Sequence, residues 1–173
     1  MIKYDLAYYE NMLRIYSKTA ETINKIRWDW VSEIEPKTVL DYGSGIGWFK
    51  AYAPVGIDVY TYDIMPVIQT GITLRMYDLC CFWDVLEHVP DFAEIEPILA
   101  LSNHVAVTLP IWHNKGDVTK WKHFKPGEHL HFMTEEIIEA LFNKYGFDLL
   151  KKGQPENALR VDITSFLFKK RKV

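Results

Sequence analysis

Lys37-Thr38-Val39-Leu40-Asp41-Tyr42-Gly43-Ser44-Gly45-Ile46-Gly47 decides the fold. Pro36 interrupts whatever precedes it, residues 37–41 read as a short buried strand, and three glycines at alternate positions follow at once. A strand feeding directly into a glycine loop lets backbone N–H groups approach a ligand closely. A short helix over residues 48–53, ended by Pro54, would add a favourable dipole at its N-terminus. A dinucleotide loop of the G-x-G-x-x-G type would need Gly or Ala at position 48, which is Trp48, so a nicotinamide cofactor is disfavoured. Taken alone, such a glycine triplet is equally consistent with a tight turn that binds nothing.

Outward from this stretch the chain alternates strands and helices. Upstream, Leu6, Tyr9, Leu13, Tyr16, Ala20, Ile23 and Ile26 recur three or four apart, which predicts a helix over residues 4–31 with a core-facing stripe. Downstream, residues 59–62 form a second strand by their β-branched and aromatic content and finish at Asp63; residues 79–83 form a third, finishing at Asp84. A helix from about Asp91 to Leu101 leads to a fourth strand at 104–109, stopped by Pro110. This alternation predicts a largely parallel sheet. Residues 111–130 carry neither period and read as a long loop. Thr134 caps a helix that Gly146 ends, and strands near 147–151 and 161–169 close the sheet as an antiparallel pair.

The bulk numbers narrow the function. At 173 residues and 49% hydrophobic, the chain is read as one domain, residues 1–173, with an N-terminal helical region at 1–31 and a core at 37–173. A net charge of -3 gives no general attraction to nucleic acid or to anionic membrane. The lysine-rich run 169–172 directly follows an apolar strand and is expected to fray into solvent. Cys80 and Cys81 are adjacent in an apolar run and pack as small hydrophobes, which fits a reducing compartment. The first residues lack the apolar core of a signal peptide and no stretch approaches ~18 apolar residues, so a cytoplasmic protein is expected.

Residues 39–47 resemble motif I of class I S-adenosylmethionine-dependent methyltransferases. Three further segments are similar to that family in the same order: Asp63 after the second strand; Phe82-Trp83-Asp84-Val85-Leu86-Glu87-His88-Val89-Pro90-Asp91; and Gly127-Glu128-His129-Leu130-His131-Phe132. The resemblance implies an α/β, Rossmann-like methyltransferase sheet with S-adenosyl-L-methionine as cofactor and a small-molecule acceptor. It places the methionine part of the cofactor in the loop of Gly43, Ser44, Gly45 and Gly47, with Asp41 fixing the loop and the cofactor's amino end. Asp63 would accept both ribose hydroxyls, a role that suits an acceptor-only carboxylate; Asp58 is a rival that precedes its strand. Ile64, Met65, Trp83 and Asp84 complete the cofactor candidates.

Only fourteen residues separate Asp63 from Asp78, where the family fits a helix, a strand and a second helix. The third strand and its helices are therefore expected to be abbreviated or missing, leaving an open adenine side. That truncation motivates an alternative: a degenerate methyltransferase-like domain that binds cofactor or a partner without catalysis.

Methyl transfer from a sulfonium needs in-line alignment, and a base when the nucleophile carries a proton. His129 is the first candidate base, with His88 and Glu87 beside it; a purely shaping role for His129 is the alternative. Asp84, Glu87 and His88 at i, i+3 and i+4, with His129 or His131, would also offer oxygen and nitrogen ligands to a divalent metal. Some ubiquinone-pathway and small-RNA methyltransferases use a similar cluster, but many relatives with this segment need no metal, and none is expected. Trp112, Trp121 and Phe124, with Lys120, Lys122, His123 and Lys125, form an aromatic and basic stretch on the presumed acceptor side.

Overall fold

The computed structural model describes residues 6–64, 72–113 and 116–172. The start of the expected N-terminal helix, the side chain of Tyr9, and Met65, one of the cofactor candidates, lie outside the described part.

Six strands form one sheet: β1 (Thr38–Tyr42), β2 (Asp58–Tyr62), β3 (Tyr77–Trp83), β4 (Ser102–Pro110), β5 (Phe147–Gly153) and β6 (Ile163–Lys170), in the order β2-β1-β3-β4-β6-β5. The pairs β1–β2, β1–β3 and β3–β4 are parallel, whereas β6 runs antiparallel to both β4 and β5. This is the Rossmann-like, mostly parallel sheet with an antiparallel C-terminal pair. Among the described residues no strand lies outside β2, so β2 is the sheet edge where a fuller sheet would continue.

Burial of both faces explains why β3 is apolar from Leu79 to Trp83. Leu79, Cys81 and Trp83 face one side of the sheet and pack with Val39, Trp28, Val31 and Phe49, while Cys80 and Phe82 face the other with Leu40, Ile138 and Phe142; Tyr77, at the start of the strand, joins the second cluster. Both cysteines are fully buried and free.

The helices depart from expectation in extent. The single N-terminal helix is two, α1 (Leu6–Tyr16) and α2 (Ala20–Val31), separated where the Thr19 hydroxyl donates to the Tyr16 carbonyl and competes with helical bonding. Among the described side chains its stripe reaches the core in α2, through Ala20 and Ile23; Leu6 and Leu13 on α1 are exposed. The helix after the glycine loop, α3 (Trp48–Ala51), is one turn and lends little dipole to that loop. Residues 92–100 split into a 3₁₀ turn, Phe92–Ile95, and α4 (Glu96–Ala100), with Asp91 capping the Ala93 amide. Helix α5 (Glu135–Lys144) starts at the Thr134 cap as expected. Residues 111–130 are irregular where described, except for a 3₁₀ turn at Val118–Lys120. At the C-terminus Lys170 does not fray: its ammonium lies 2.6 Å from the Ala100 carbonyl that ends α4.

Candidate functional site

The parallel strands β1, β2 and β3 all end on one side, and the candidate residues gather there. The Tyr62 carbonyl at the end of β2 accepts the Gly43 and Ser44 amides at 2.7 and 3.0 Å, folding the glycine loop over the strand ends. Gly43, Gly45 and Gly47 all have positive φ (77°, 53° and 80°), the region that favours glycine. At Gly43 a Cβ would also stand 2.5 Å from the Val85 side chain, so both backbone angle and space require glycine there.

Asp63 is buried directly after β2, and its Oδ2 accepts the Gly45 amide at 2.7 Å. Asp58 is exposed at the opposite end of the same strand, which removes it as a rival for this site. Ile64 is exposed beside Asp63. Asp41, inside β1, is 2% exposed, and its Oδ2 has no protein partner. Burial drives its carboxyl up to about 7, against the attraction of Arg27 and with help from Asp63. A buried carboxylate oxygen with nothing to accept from is costly unless a proton or a cation meets it.

At the end of β3 the Trp83 ring is buried under Phe49, with the Arg27 guanidinium 5.1 Å from its centroid. Asp84 adopts φ +59°. Its carboxylate is held by two arginines remote in sequence: Arg27 from α2 at 2.7 Å, and Arg160 from the β5–β6 connection through two hydrogen bonds. Glu156, fully buried, accepts from the same pair at 2.8 and 2.7 Å. Burial alone would raise the Asp84 carboxyl, but Arg160 and Arg27 hold it well below the usual carboxylate range. Arg27, Glu156 and Arg160 were not among the expected site residues. Sequence marks none of them, because Arg27, Asp84 and the Glu156–Arg160 pair lie in three separate parts of the chain and Arg27 reads as one polar position on an amphipathic helix.

Beyond Asp84 a 3₁₀ turn, Leu86–His88, places Glu87 and His88 against the segment around His129. The Glu87 carbonyl accepts the Leu130 and His131 amides at 2.7 and 3.3 Å, so backbone bonds join two segments far apart in the chain. His88 Nδ1 lies 2.9 Å from the Glu128 carbonyl, and the His88 and His129 rings meet edge to face at 4.9 Å. Glu87 Oε2 and His129 Nδ1 are both buried without a partner. Burial, reinforced by Asp84, raises the Glu87 carboxyl to about 8; burial, His88 and Lys125 lower His129 to about 4. At neutral pH His129 is therefore uncharged, and Glu87 retains a proton unless a cation replaces it. His131 points elsewhere, with Nε2 2.8 Å from the Val89 carbonyl.

The aromatic stretch forms a cluster: Trp112 and Trp121 lie 5.5 Å apart, and Phe124 stacks on Phe132 at 5.2 Å. Its lysines are partly spoken for, Lys122 by the Val161 carbonyl at 2.8 Å and Lys125 by Glu128 at 3.3 Å. Ile111, Trp112, His113, Thr134, Glu135 and Glu136 line a cavity of about 240 Å³ next to this cluster.

Comparison with known proteins bears on this arrangement. A family described as a methyltransferase domain matches residues 14–152. The magnesium protoporphyrin IX methyltransferase of Synechocystis PCC 6803, solved with bound SAH, superposes with a TM-score of 0.65 at 16% identity, over 99% of this chain and 90% of that one. An S-adenosylmethionine-dependent methyltransferase from Clostridium acetobutylicum ATCC 824 gives 0.68 at 11% identity, over 95% of this chain and 99% of that one. For the mitomycin 7-O-methyltransferase MmcR the values are 0.69 and 13%, over 95% of this chain and 56% of that one. At these identities the likeness is one of fold. No curated protein sequence matches the chain.

Proposed function

This chain belongs to the methyltransferase-domain family, and on that premise we propose that it is an S-adenosylmethionine-dependent methyltransferase acting on a small-molecule acceptor. The cofactor supplies a methyl group activated on a sulfonium. The observation that carries the reading is the unpartnered Oδ2 of Asp41, buried two residues before a loop of three positive-φ glycines. An ammonium group, such as the one on a methionine moiety, is the partner that this oxygen lacks, and the glycine loop leaves room for a close approach.

In this reading Gly43, Ser44, Gly45 and Gly47 cradle the methionine part, and Asp63 turns its remaining acceptor capacity to ribose hydroxyls. Trp83 and Ile64 supply apolar walls. Asp84 serves at one remove: with both oxygens on arginines, it fixes the end of β3 and the entry of the Glu87–His88 turn. The acceptor lies against Trp112 and Trp121, and His129, positioned by His88 and Glu87, faces its proton. The chain works as one catalytic domain, without nucleic acid, in the cytoplasm; among the described residues no helix is long and apolar enough to cross a membrane.

Calorimetric titration of the purified chain with S-adenosylmethionine and S-adenosylhomocysteine tests this, with Asp63→Ala as control and thermal melting as the check on folding. Saturable binding that collapses in a folded Asp63→Ala supports the assignment. A folded parent that binds neither ligand at millimolar concentration overturns it in favour of a degenerate domain.

A further inference from the structure

Glu87, His88 and His129 each bring one ligand atom to within 4.8 Å of the others. In the same cluster, Glu87 Oε2 and His129 Nδ1 are buried and have no partner in the protein. Once ionised, Glu87 presents a lone pair as the neutral His129 imidazole does, and nothing in the protein donates to either buried atom. His88 adds a third: its Nδ1 faces the Glu128 carbonyl at 2.9 Å, so Nδ1 carries the hydrogen and Nε2 keeps its lone pair. A backbone carbonyl that fixes the tautomer of a histidine is the usual outer support of a metal ligand.

We propose that Glu87, His88 and His129 bind a divalent transition cation of the zinc class through one carboxylate oxygen and two imidazole nitrogens. The neighbouring acid and histidine are not ligands. Asp84 is held by Arg27 and Arg160, and His131 Nε2 by the Val89 carbonyl. A mixed nitrogen and oxygen set selects zinc, cobalt or nickel over magnesium or calcium, which prefer oxygen alone. Ligands at about 2.1 Å in a tetrahedron sit about 3.4 Å apart, so the cluster needs to contract by roughly an ångström. Side-chain rotation supplies that movement, because the backbone is already fixed by the amides of Leu130 and His131 on the Glu87 carbonyl. Three protein ligands leave a coordination position open, the arrangement in which a cation acidifies a bound oxygen. This deepens the proton-handling part of the proposed function: with Nδ1 of His129 engaged as a ligand, the cation takes over from a free imidazole.

The test is titration of the chelator-stripped full chain with Co²⁺, followed by visible absorption, and with Zn²⁺ by calorimetry, both without S-adenosylmethionine. One equivalent is expected to bind, with intense ligand-field bands of low-coordinate cobalt. Affinity is expected to fall by more than about tenfold in Glu87→Gln and in His129→Ala, and to hold within a few-fold in His131→Asn. Melting curves establish that each variant is folded. Failure of the folded parent to bind one equivalent overturns the proposal, as does undiminished binding in both ligand variants, which would put the ion elsewhere. Cofactor binding measured separately in excess chelator keeps this outcome independent of the methyltransferase assignment.

Discussion

The Gly45 amide donates to Asp63 Oδ2 over 2.7 Å, and through that bond the glycine loop after β1 and the acid after β2 become one unit. Asp63→Ala is therefore expected to do two things: weaken S-adenosylhomocysteine binding by at least about tenfold, through loss of a charged acceptor, and speed hydrogen exchange at Gly45. Asp63→Asn retains an acceptor oxygen and should protect the Gly45 amide while still losing affinity. Calorimetry and amide exchange read the two effects separately; identical exchange in both variants would show that the loop does not depend on this acceptor.

Gly43 is constrained twice, by a φ of +77° and by the Val85 side chain 2.5 Å from where a Cβ would sit. Gly43→Ala is expected to cost about 2–4 kcal/mol, shared between backbone strain and the clash. Val85 is β-branched and stiff, so it does not rotate away cheaply. Combining Gly43→Ala with Val85→Ala should restore the clash share and leave the strain, a positive coupling in a urea-unfolding double-mutant cycle. Strict additivity would mean that the loop relaxes instead.

These two positions also mark what was legible in the sequence. The Lys37–Gly47 stretch announced strand, loop and acid because each property is local: strand composition, glycine spacing and the acid after each strand. That no strand lies outside β2 among the described residues accords with chain length, since fourteen residues after Asp63 hold one crossover and little else. The arginines around Asp84 were invisible, because a pair 57 or 76 residues apart leaves no period. The same holds for the break between α1 and α2, where the Thr19 amide and hydroxyl both turn to the Tyr16 carbonyl although the apolar stripe runs on. His129 and Glu87 were found as chemistry-bearing residues, but their lack of partners is a property of packing that sequence does not carry.

The Asp41 carboxyl, held at about 7 instead of an ordinary 3.8, makes stability depend on pH in a definite direction. Between those values the folded chain keeps a proton that the unfolded chain has lost, so this group's contribution falls as pH rises from about 4 to about 7 and stays low above that. Asp41→Asn mimics the protonated form. It should match the parent near pH 4 and exceed it above pH 7, by on the order of 3 kcal/mol. The same variant should bind S-adenosylmethionine more weakly, because an amide meets an ammonium less well than a carboxylate does. Urea unfolding at pH 4.5, 6 and 8 checks the first part and calorimetry the second; a parent-minus-variant difference that does not change with pH would sink the assignment.

Arg27 carries the heaviest structural demand in the site. Its guanidinium bonds Glu156 and Asp84 at 2.8 and 2.7 Å and lies over the Trp83 ring, while Glu156 has no exposure to water. Arg27→Met removes a cation from two carboxylates and leaves Glu156 with Arg160 alone, so a loss of about 3–5 kcal/mol is expected. Glu156→Gln in the same chain removes the stranded charge and should recover a large part of that loss, because a buried pair is far costlier to halve than to delete. Asp84 keeps Arg160, so the end of β3 and the Glu87–His88 turn should survive in the double variant, and its S-adenosylhomocysteine affinity should lie closer to the parent than that of Arg27→Met. Recovery of stability without recovery of binding would instead place Arg27 in contact with the cofactor itself.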